Sequence, residues 1–167
     1  MKLTINHFAK TMVLCGALSG AATTVYAARP HFVGRVTSTL AGTSVQACFK
    51  IAGLGDNATI TVNASANASA TFVCQTKSGQ CPSAANKTTV NTEVSTSGDF
   101  VSDRNGNVSG CLTLAAPGPG NFACPSGQNL VLANVTFSNI TVQSAPTGPA
   151  TANPPVQTVG FGACPRR

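Results

Sequence analysis

The sequence predicts an all-β protein, a single disulfide-stapled β-sandwich of about seven or eight antiparallel strands. Apolar and polar residues alternate along several segments, and stretches rich in Pro and Gly separate these segments. No stretch repeats its apolar residues every three or four positions, as an amphipathic helix would. Cysteines fall near the ends of the alternating segments, where disulfides can join neighbouring strands.

The N-terminus has the pattern of a secretory signal peptide. Lys2 and Lys10 precede an uncharged run of about 15 residues, which is shorter than the roughly 20 that span a bilayer. Val25 and Ala27 stand where a signal peptidase cleaves, so we expect cleavage after Ala27, no transmembrane segment and a secreted, extracellular protein. In a bacterial host the destination would be the periplasm or the cell surface. The expected organisation is a signal peptide at 1–27, an N-terminal segment at 28–42 and a sandwich domain at 43–167, with Pro- and Gly-rich loops at 115–128 and 144–155.

The mature chain carries a small and dispersed positive charge. Cleavage removes 27 of 167 residues and two of the ten lysines and arginines, which leaves eight basic and four acidic side chains. The longest basic cluster is Arg166–Arg167. Nucleic acid is therefore not an expected partner.

The segment Asn57–Cys74, NATITVNASANASATFVC, looks like low-complexity sequence but alternates with a period of two. Its even positions are apolar, and its odd positions from Thr59 to Thr71 are Thr, Asn or Ser. A strand places alternate residues on opposite faces, so this pattern predicts a strand with a buried even face. At about 3.3 Å per residue the strand would be roughly 56 Å long, which predicts a bend or bulge near Ala64–Asn67.

Three further segments follow the same alternation. Alternate residues of Val45–Ile51 are apolar, which predicts a strand. Asn105-Gly106 lies between DFVSD and NVSGCLTL and predicts a β-hairpin with a type I′ turn. In NLVLANVTFSNITVQ the apolar phase changes at Ser138 and Asn139, which predicts a bulge.

Six of the seven cysteines follow the signal peptide, and an even number in an exported chain predicts three disulfides. No C-x-x-C pair is present, so neither a metal site nor a cofactor is expected. Six cysteines allow fifteen pairings, and the sequence leaves the choice open. The most local arrangement joins Cys74 to Cys81, Cys111 to Cys124 and Cys48 to Cys164.

Few side chains of the mature chain suit catalysis, and we predict that the protein is not an enzyme. His31 is the only histidine left after cleavage, and it lies close to the expected new N-terminus. No G-x-S-x-G motif is present, and a Ser-His-Asp triad would lack a well-placed histidine. Asp99 and Asp103 flank the predicted hairpin and would form the carboxylate pair of a hydrolase, which is a minor alternative to their role as turn residues.

Two kinds of ligand need separate consideration. The segment Asp103–Asn107, DRNGN, resembles the start of a calcium loop, but Leu114 stands where an EF-type loop needs a carboxylate. A weaker surface calcium site remains an alternative there. Carbohydrate-binding sandwiches commonly stack a sugar on Trp or Tyr, and the mature chain has neither.

Asparagines followed two positions later by Ser or Thr are frequent. In a eukaryotic host these sequons are candidate glycosylation sites, whereas in a bacterial host they are the polar residues of a sheet face. The sequons start at Asn57, Asn63, Asn67, Asn86, Asn107, Asn134 and Asn139.

Several motifs together resemble a group of small secreted, cysteine-containing proteins of filamentous fungi and actinobacteria. The motifs are AGLG before an alternating strand, CQTKSGQCPSAANK, DRNGNVSG, and CP followed by VTFSNITV, and they cover most of residues 45–142. The resemblance implies export and an all-β, disulfide-linked fold. It carries over no catalytic residue, because that group has no established activity.

The expected function is that of a secreted, non-catalytic structural, surface or interaction protein. The alternative is a carbohydrate- or small-ligand-binding module. The partner is unknown, and a cell-surface protein and a polysaccharide are the two candidates. A concave pocket lined by Phe or by carboxylates would favour the binding module.

Overall fold

The chain forms nine β-strands and no helix over residues 29–81 and 86–162, the residues that the computed structural model describes. The expected signal peptide and Cys164 lie outside the described residues. The strands are β1 (His31–Phe32), β2 (Thr37–Ala41), β3 (Ser44–Ala52), β4 (Thr59–Thr76), β5 (Lys87–Val101), β6 (Val108–Ala115), β7 (Gln128–Ser144), β8 (Gly148–Thr151) and β9 (Gln157–Gly160).

The strands form two antiparallel sheets, which confirms the predicted all-β sandwich. In the smaller sheet, β3 lies between β6 and an edge that β1 and β2 share. In the larger sheet the order is β5-β4-β7, and β8 and β9 share the free side of β7. The chain crosses from one sheet to the other between β3 and β4, between β5 and β6, and between β6 and β7. A parallel bridge between Thr37 and Asn153 joins the two sheets along one side.

The sandwich begins earlier than residue 43. Both β1 and β2 lie within the segment 28–42 that was expected to precede the domain, and both pair with β3. Val36 in this segment is buried in the core. Similarly, β8 forms inside the expected loop 144–155 and pairs with β7. These strands are too short to show alternation, so the sequence does not distinguish them from an N-terminal segment or a loop.

Strand β4 confirms the long strand that the alternation predicts. Every even residue of Ile60–Cys74 is buried. Pairing with β5 is continuous, whereas pairing with β7 shifts register between Ser65 and Asn67, where a bend was expected. Across this shift β7 contains one more residue than β4, between Ser138 and Thr141. Asn139 lies at this point and has a φ of 53°, so the bulge predicted in β7 is confirmed. A second shift near Thr71 is not visible in the sequence.

The predicted hairpin around Asn105-Gly106 is wrong, because β5 belongs to the larger sheet and β6 to the smaller one. A tight turn does form: the Asp103 N–H donates to the Asn107 carbonyl, and the Gly106 N–H donates to the Asp103 carbonyl. Only Gly106 has a positive φ, of 73°, so the turn is not type I′.

Buried Ser102 fixes the crossing from one sheet to the other. Its hydroxyl donates to the Gly55 carbonyl at 2.6 Å and accepts from the Ala58 N–H at 2.9 Å. The β5–β6 connection is thereby attached to the β3–β4 connection, which crosses between the sheets at the same end. The close approach of the two connections explains Gly106, since a Cβ there would lie 2.8 Å from the Gly55 nitrogen.

The disulfides differ from the most local arrangement. The structure contains Cys48–Cys111 and Cys74–Cys124, and Cys81 is disulfide-bonded as well. Cys48 and Cys111 lie directly opposite each other on β3 and β6. The loop after β6 returns to the core, where Phe122 packs, and so brings Cys124 to β4. The pairs that this excludes are Cys74–Cys81, Cys111–Cys124 and Cys48–Cys164.

Candidate functional site

The outer face of the larger sheet is a continuous surface of short polar side chains. Odd-numbered residues of β4 point away from the core, and residues directly opposite them on β5 and β7 share that face. We call this surface the hydroxyl face. It comprises Thr61, Asn63, Ser65, Asn67, Ser69 and Thr71 of β4, Thr89, Asn91, Glu93, Ser95, Ser97 and Asp99 of β5, and Asn134, Thr136, Ser138, Thr141 and Gln143 of β7.

Side chains of the hydroxyl face meet across the strands as hydrogen-bonded pairs. Neighbouring strands are about 4.8 Å apart, which suits contact between short hydroxyl side chains. Each contact fixes two rotamers, so the surface presents an ordered array. The pairs are Thr61–Asp99 at 2.6 Å, Ser65–Thr141 at 3.1 Å, Thr71–Thr89 at 3.1 Å and, on the adjoining β9, Thr136–Thr158 at 3.0 Å.

Two shallow depressions lie side by side on the hydroxyl face, and Glu93 lines both of them. One has a volume of about 390 Å³, and Asn63 and Ser95 are among its lining residues. The other has a volume of about 360 Å³, and Asn91 and Thr136 are among its lining residues. Glu93 supplies the one carboxylate of each depression, and no aromatic side chain lines either. The concave surface is therefore lined by one carboxylate, by neutral polar side chains and by Ala64 or Ala68.

The carboxylates of the described chain are dispersed. Asp99 lies on the hydroxyl face, where its Oδ1 accepts from Thr61, and Glu93 lies near the middle of β5. Asp56 is exposed in the β3–β4 connection. Asp103 lies in the turn after β5. The two carboxylates of the hydrolase alternative, Asp99 and Asp103, are thus each hydrogen-bonded within a different part of the fold.

The carboxylate of Asp103 stabilises its own turn. Its Oδ1 accepts the backbone N–H groups of Asn105 and Asn107, each at 2.9 Å. The bond from the Asn107 N–H holds the pKa of Asp103 below its ordinary value, because it favours the charged form. Oδ1 of Asp103 is thus engaged within the turn by two backbone donors. Over residues 29–81 and 86–162, no three His, Cys, Asp or Glu side chains are grouped as metal ligands.

The single described histidine and the phenylalanines lie away from the hydroxyl face. His31 belongs to β1 of the smaller sheet, and its Nδ1 lies 3.0 Å from the Arg29 carbonyl oxygen. Phe49, Phe72 and Phe137 are buried. Among the described phenylalanines, Phe161 alone is exposed, and it follows β9 at the edge of the larger sheet. No described aromatic side chain is placed to stack on a ligand at the two depressions.

The sequons are mostly exposed. Those of Asn63, Asn67 and Asn134 lie on the hydroxyl face itself. Asn57 and Asn139 are exposed and have positive φ angles, Asn57 in a turn and Asn139 at the bulge of β7. A glycan on any of the first three would stand over the hydroxyl face. The remaining two, Asn86 and Asn107, are half-buried.

The sequence pattern predicts only the C-terminal end of β5, within DFVSD, as a strand and does not single out Glu93 as a site residue, although a signal exists. Val90 and Val94 point inward and pack against the core. The inward positions between and beside them include Thr92 and Thr96, so the contrast between the two faces is weak in the sequence. Pairing with β4 makes β5 a strand where its own alternation does not.

Comparisons with known proteins assign no family. No family model matches the chain, and neither a curated protein nor a solved structure matches it significantly. The part of the chain that the structure describes contains no helix long and apolar enough to cross a membrane. A functional proposal therefore rests on the geometry and chemistry of the surface.

Proposed function

We propose that the protein is a non-catalytic, exported interaction protein that binds its partner through the hydroxyl face. The observation that carries this proposal is the chemistry of that face, which is broad, ordered and almost free of charge. Only Glu93 and Asp99 carry charge among its defining residues. Typical soluble domains have about 25% charged residues, whereas this chain has 8%. A large neutral polar face suits a neutral polar partner.

A neutral polysaccharide is the second candidate, and the two depressions beside Glu93 favour it. Hydroxyl and amide side chains match the donors and acceptors of sugar hydroxyl groups. A carboxylate accepts two such hydrogen bonds more strongly than a neutral group does. Without an aromatic platform, each sugar contact would be weak, and affinity would come from contacts repeated along an extended chain. A hydrolase is not proposed, because Asp99 and Asp103 are bound by separate partners.

The test compares binding by two matched arginine variants of the exported, oxidised protein, produced without glycans. Ser95→Arg places a long cation in the first depression, and Thr113→Arg places the same side chain on the outer face of the smaller sheet. Depletion from solution is measured on insoluble cellulose, chitin and β-1,3-glucan, and on immobilised extracellular surface proteins.

We expect Ser95→Arg to abolish binding and Thr113→Arg to bind like the unmodified protein. Retention on one of the polysaccharides supports the second candidate, and retention on a surface protein supports a protein partner. Binding that survives Ser95→Arg but is lost in Thr113→Arg would place the binding surface on the smaller sheet and contradict the proposal.

A further inference from the structure

We propose that two copies of this chain pair through β5 and form a two-fold dimer with Val90 on the axis. This inference concerns a strand edge and does not rest on the proposed function, although its register involves Glu93 of the hydroxyl face. β5 is 15 residues long, and within the described chain it pairs with β4 alone. Its other edge therefore presents backbone N–H and C=O groups that a further strand can bind.

β5 lacks several of the features that usually protect an edge strand from pairing. It contains no proline, and its register with β4 shows no bulge along its paired length. Its inward positions from Thr88 to Phe100 carry no charge. Its charged side chains, Lys87, Glu93 and Asp99, all point outward, and such edge charges permit pairing only in a register that matches opposite charges.

The charges of β5 select one register for that second strand. In an antiparallel pair about Val90, each residue faces the one equally far on the other side of the axis. Lys87 therefore faces Glu93 of the partner subunit, and Glu93 faces Lys87 of the partner subunit, which gives two opposite-charge pairs. Neither side chain has an ion-pair partner among the described residues of its own copy. An axis at Glu93 would instead pair Lys87 with Asp99, but would place the two Glu93 carboxylates opposite each other.

The packing around this axis also suits a pair. Val90 is half-buried and would face its own copy, while Thr88 would face Thr92, and such β-branched pairs stabilise antiparallel strands. The smaller sheet lies under the other end of β5. There Phe100 covers Gly110 so closely that a Cβ on Gly110 would overlap its ring. The smaller sheet thus covers the Phe100 end of β5, whereas Val90 packs against the core only in part. Pairing about Val90 would join the two larger sheets into one with both hydroxyl faces on the same side.

The first test measures the mass of the exported, oxidised protein in solution by sedimentation equilibrium over a range of concentrations. We expect a dimer for the unmodified protein. Lys87→Glu and Glu93→Lys each create two like-charge pairs per dimer and should raise the dissociation constant about tenfold. The double variant K87E/E93K restores both pairs and should restore the dimer. Lys77→Glu, an equal charge change in the exposed turn after β4, should have no effect.

The second test joins facing carboxylates and amines with a zero-length carbodiimide reagent. Lys87 and Glu93 are six residues apart on one strand, or about 20 Å, so they cannot be joined within one copy. A Lys87–Glu93 product that contains one isotope-labelled and one unlabelled peptide would support the register. A monomer at every concentration, stronger association of Glu93→Lys, or a double variant that stays monomeric would each overturn it.

Discussion

Replacing Val135 by Asp tests the burial pattern of the larger sheet at a position with only apolar neighbours. Val135 is fully buried on the inner face of β7. It lies opposite Ala70 on β4 and Val159 on β9. None of these side chains can donate a hydrogen bond, so an introduced carboxylate has no partner. Its exposed neighbour Asn134 is the matched control, because Asn134→Asp adds the same carboxylate on the outer face.

The cost of Val135→Asp has two parts. A carboxyl buried without a partner remains protonated, and at pH 7 this costs about 1.4 kcal/mol for each pH unit above the ordinary pKa of about 3.9, or about 4 kcal/mol. Burying the neutral carboxyl without a hydrogen bond adds about 1–3 kcal/mol. The sum is comparable to the whole unfolding free energy of an ordinary domain, about 5–15 kcal/mol. Val135→Asn incurs only the second cost, because its amide is polar but does not ionise.

The two costs can be separated because only the cost of keeping the carboxyl protonated depends on pH. The pKa of the introduced carboxyl is raised in the folded state, so the unfolded state releases its proton first and the stability of Val135→Asp falls as pH rises above about 4. Stability is measured by denaturant unfolding followed by circular dichroism, since the chain has no tryptophan. We expect Val135→Asp to match Val135→Asn near pH 4 and to be about 4 kcal/mol less stable at pH 7. If Val135→Asp and Asn134→Asp unfold alike at pH 7, the reasoning about the buried face is refuted.

Two further predictions follow from individual contacts. Ser102→Ala leaves the Ala58 N–H and the Gly55 carbonyl without their hydrogen-bond partner. It should lower the unfolding free energy by about 2 kcal/mol in the same denaturation assay. A decrease below about 0.5 kcal/mol would contradict the role of this hydroxyl in holding the two connections together. Cys111 is exposed whereas Cys74 is buried, so a mild reductant followed by alkylation and peptide mapping should label Cys111 before Cys74, and the opposite order would contradict this reasoning.

The sequence predicts those strands whose inner residues are apolar and whose outer residues are polar. β4 is predictable because its inner residues are apolar and its outer residues are polar from Thr59 to Thr71. The bulge of β7 is predictable because the apolar phase changes beside Asn139. Most of β5 escapes prediction because threonines occupy several of its inward positions, where burial is only partial.

Other features depend on contacts that are distant in the sequence. The turn at Asp103 has the composition of a hairpin, but local composition does not determine which sheet each flanking strand joins. That choice depends on Ser102, whose hydroxyl binds the distant β3–β4 connection. The disulfide pairing likewise depends on register and on the path of a loop. Cys48 meets Cys111 because β3 and β6 align. Glu93 becomes a candidate site residue only when β5 is placed beside β4.

The sequons set a condition on binding through the hydroxyl face. Asn63 and Asn67 are exposed, and each lines one of the two depressions. A glycan on either would stand over that depression, so glycosylation there and binding at that depression are mutually exclusive. In a glycosylating host, protein that carries these glycans by intact mass should therefore not bind. The triple variant N63Q/N67Q/N134Q, which also removes the third sequon of the hydroxyl face and retains all three amides, should bind like protein made without glycans. Equal binding by the fully glycosylated protein would show that the hydroxyl face is not the binding surface.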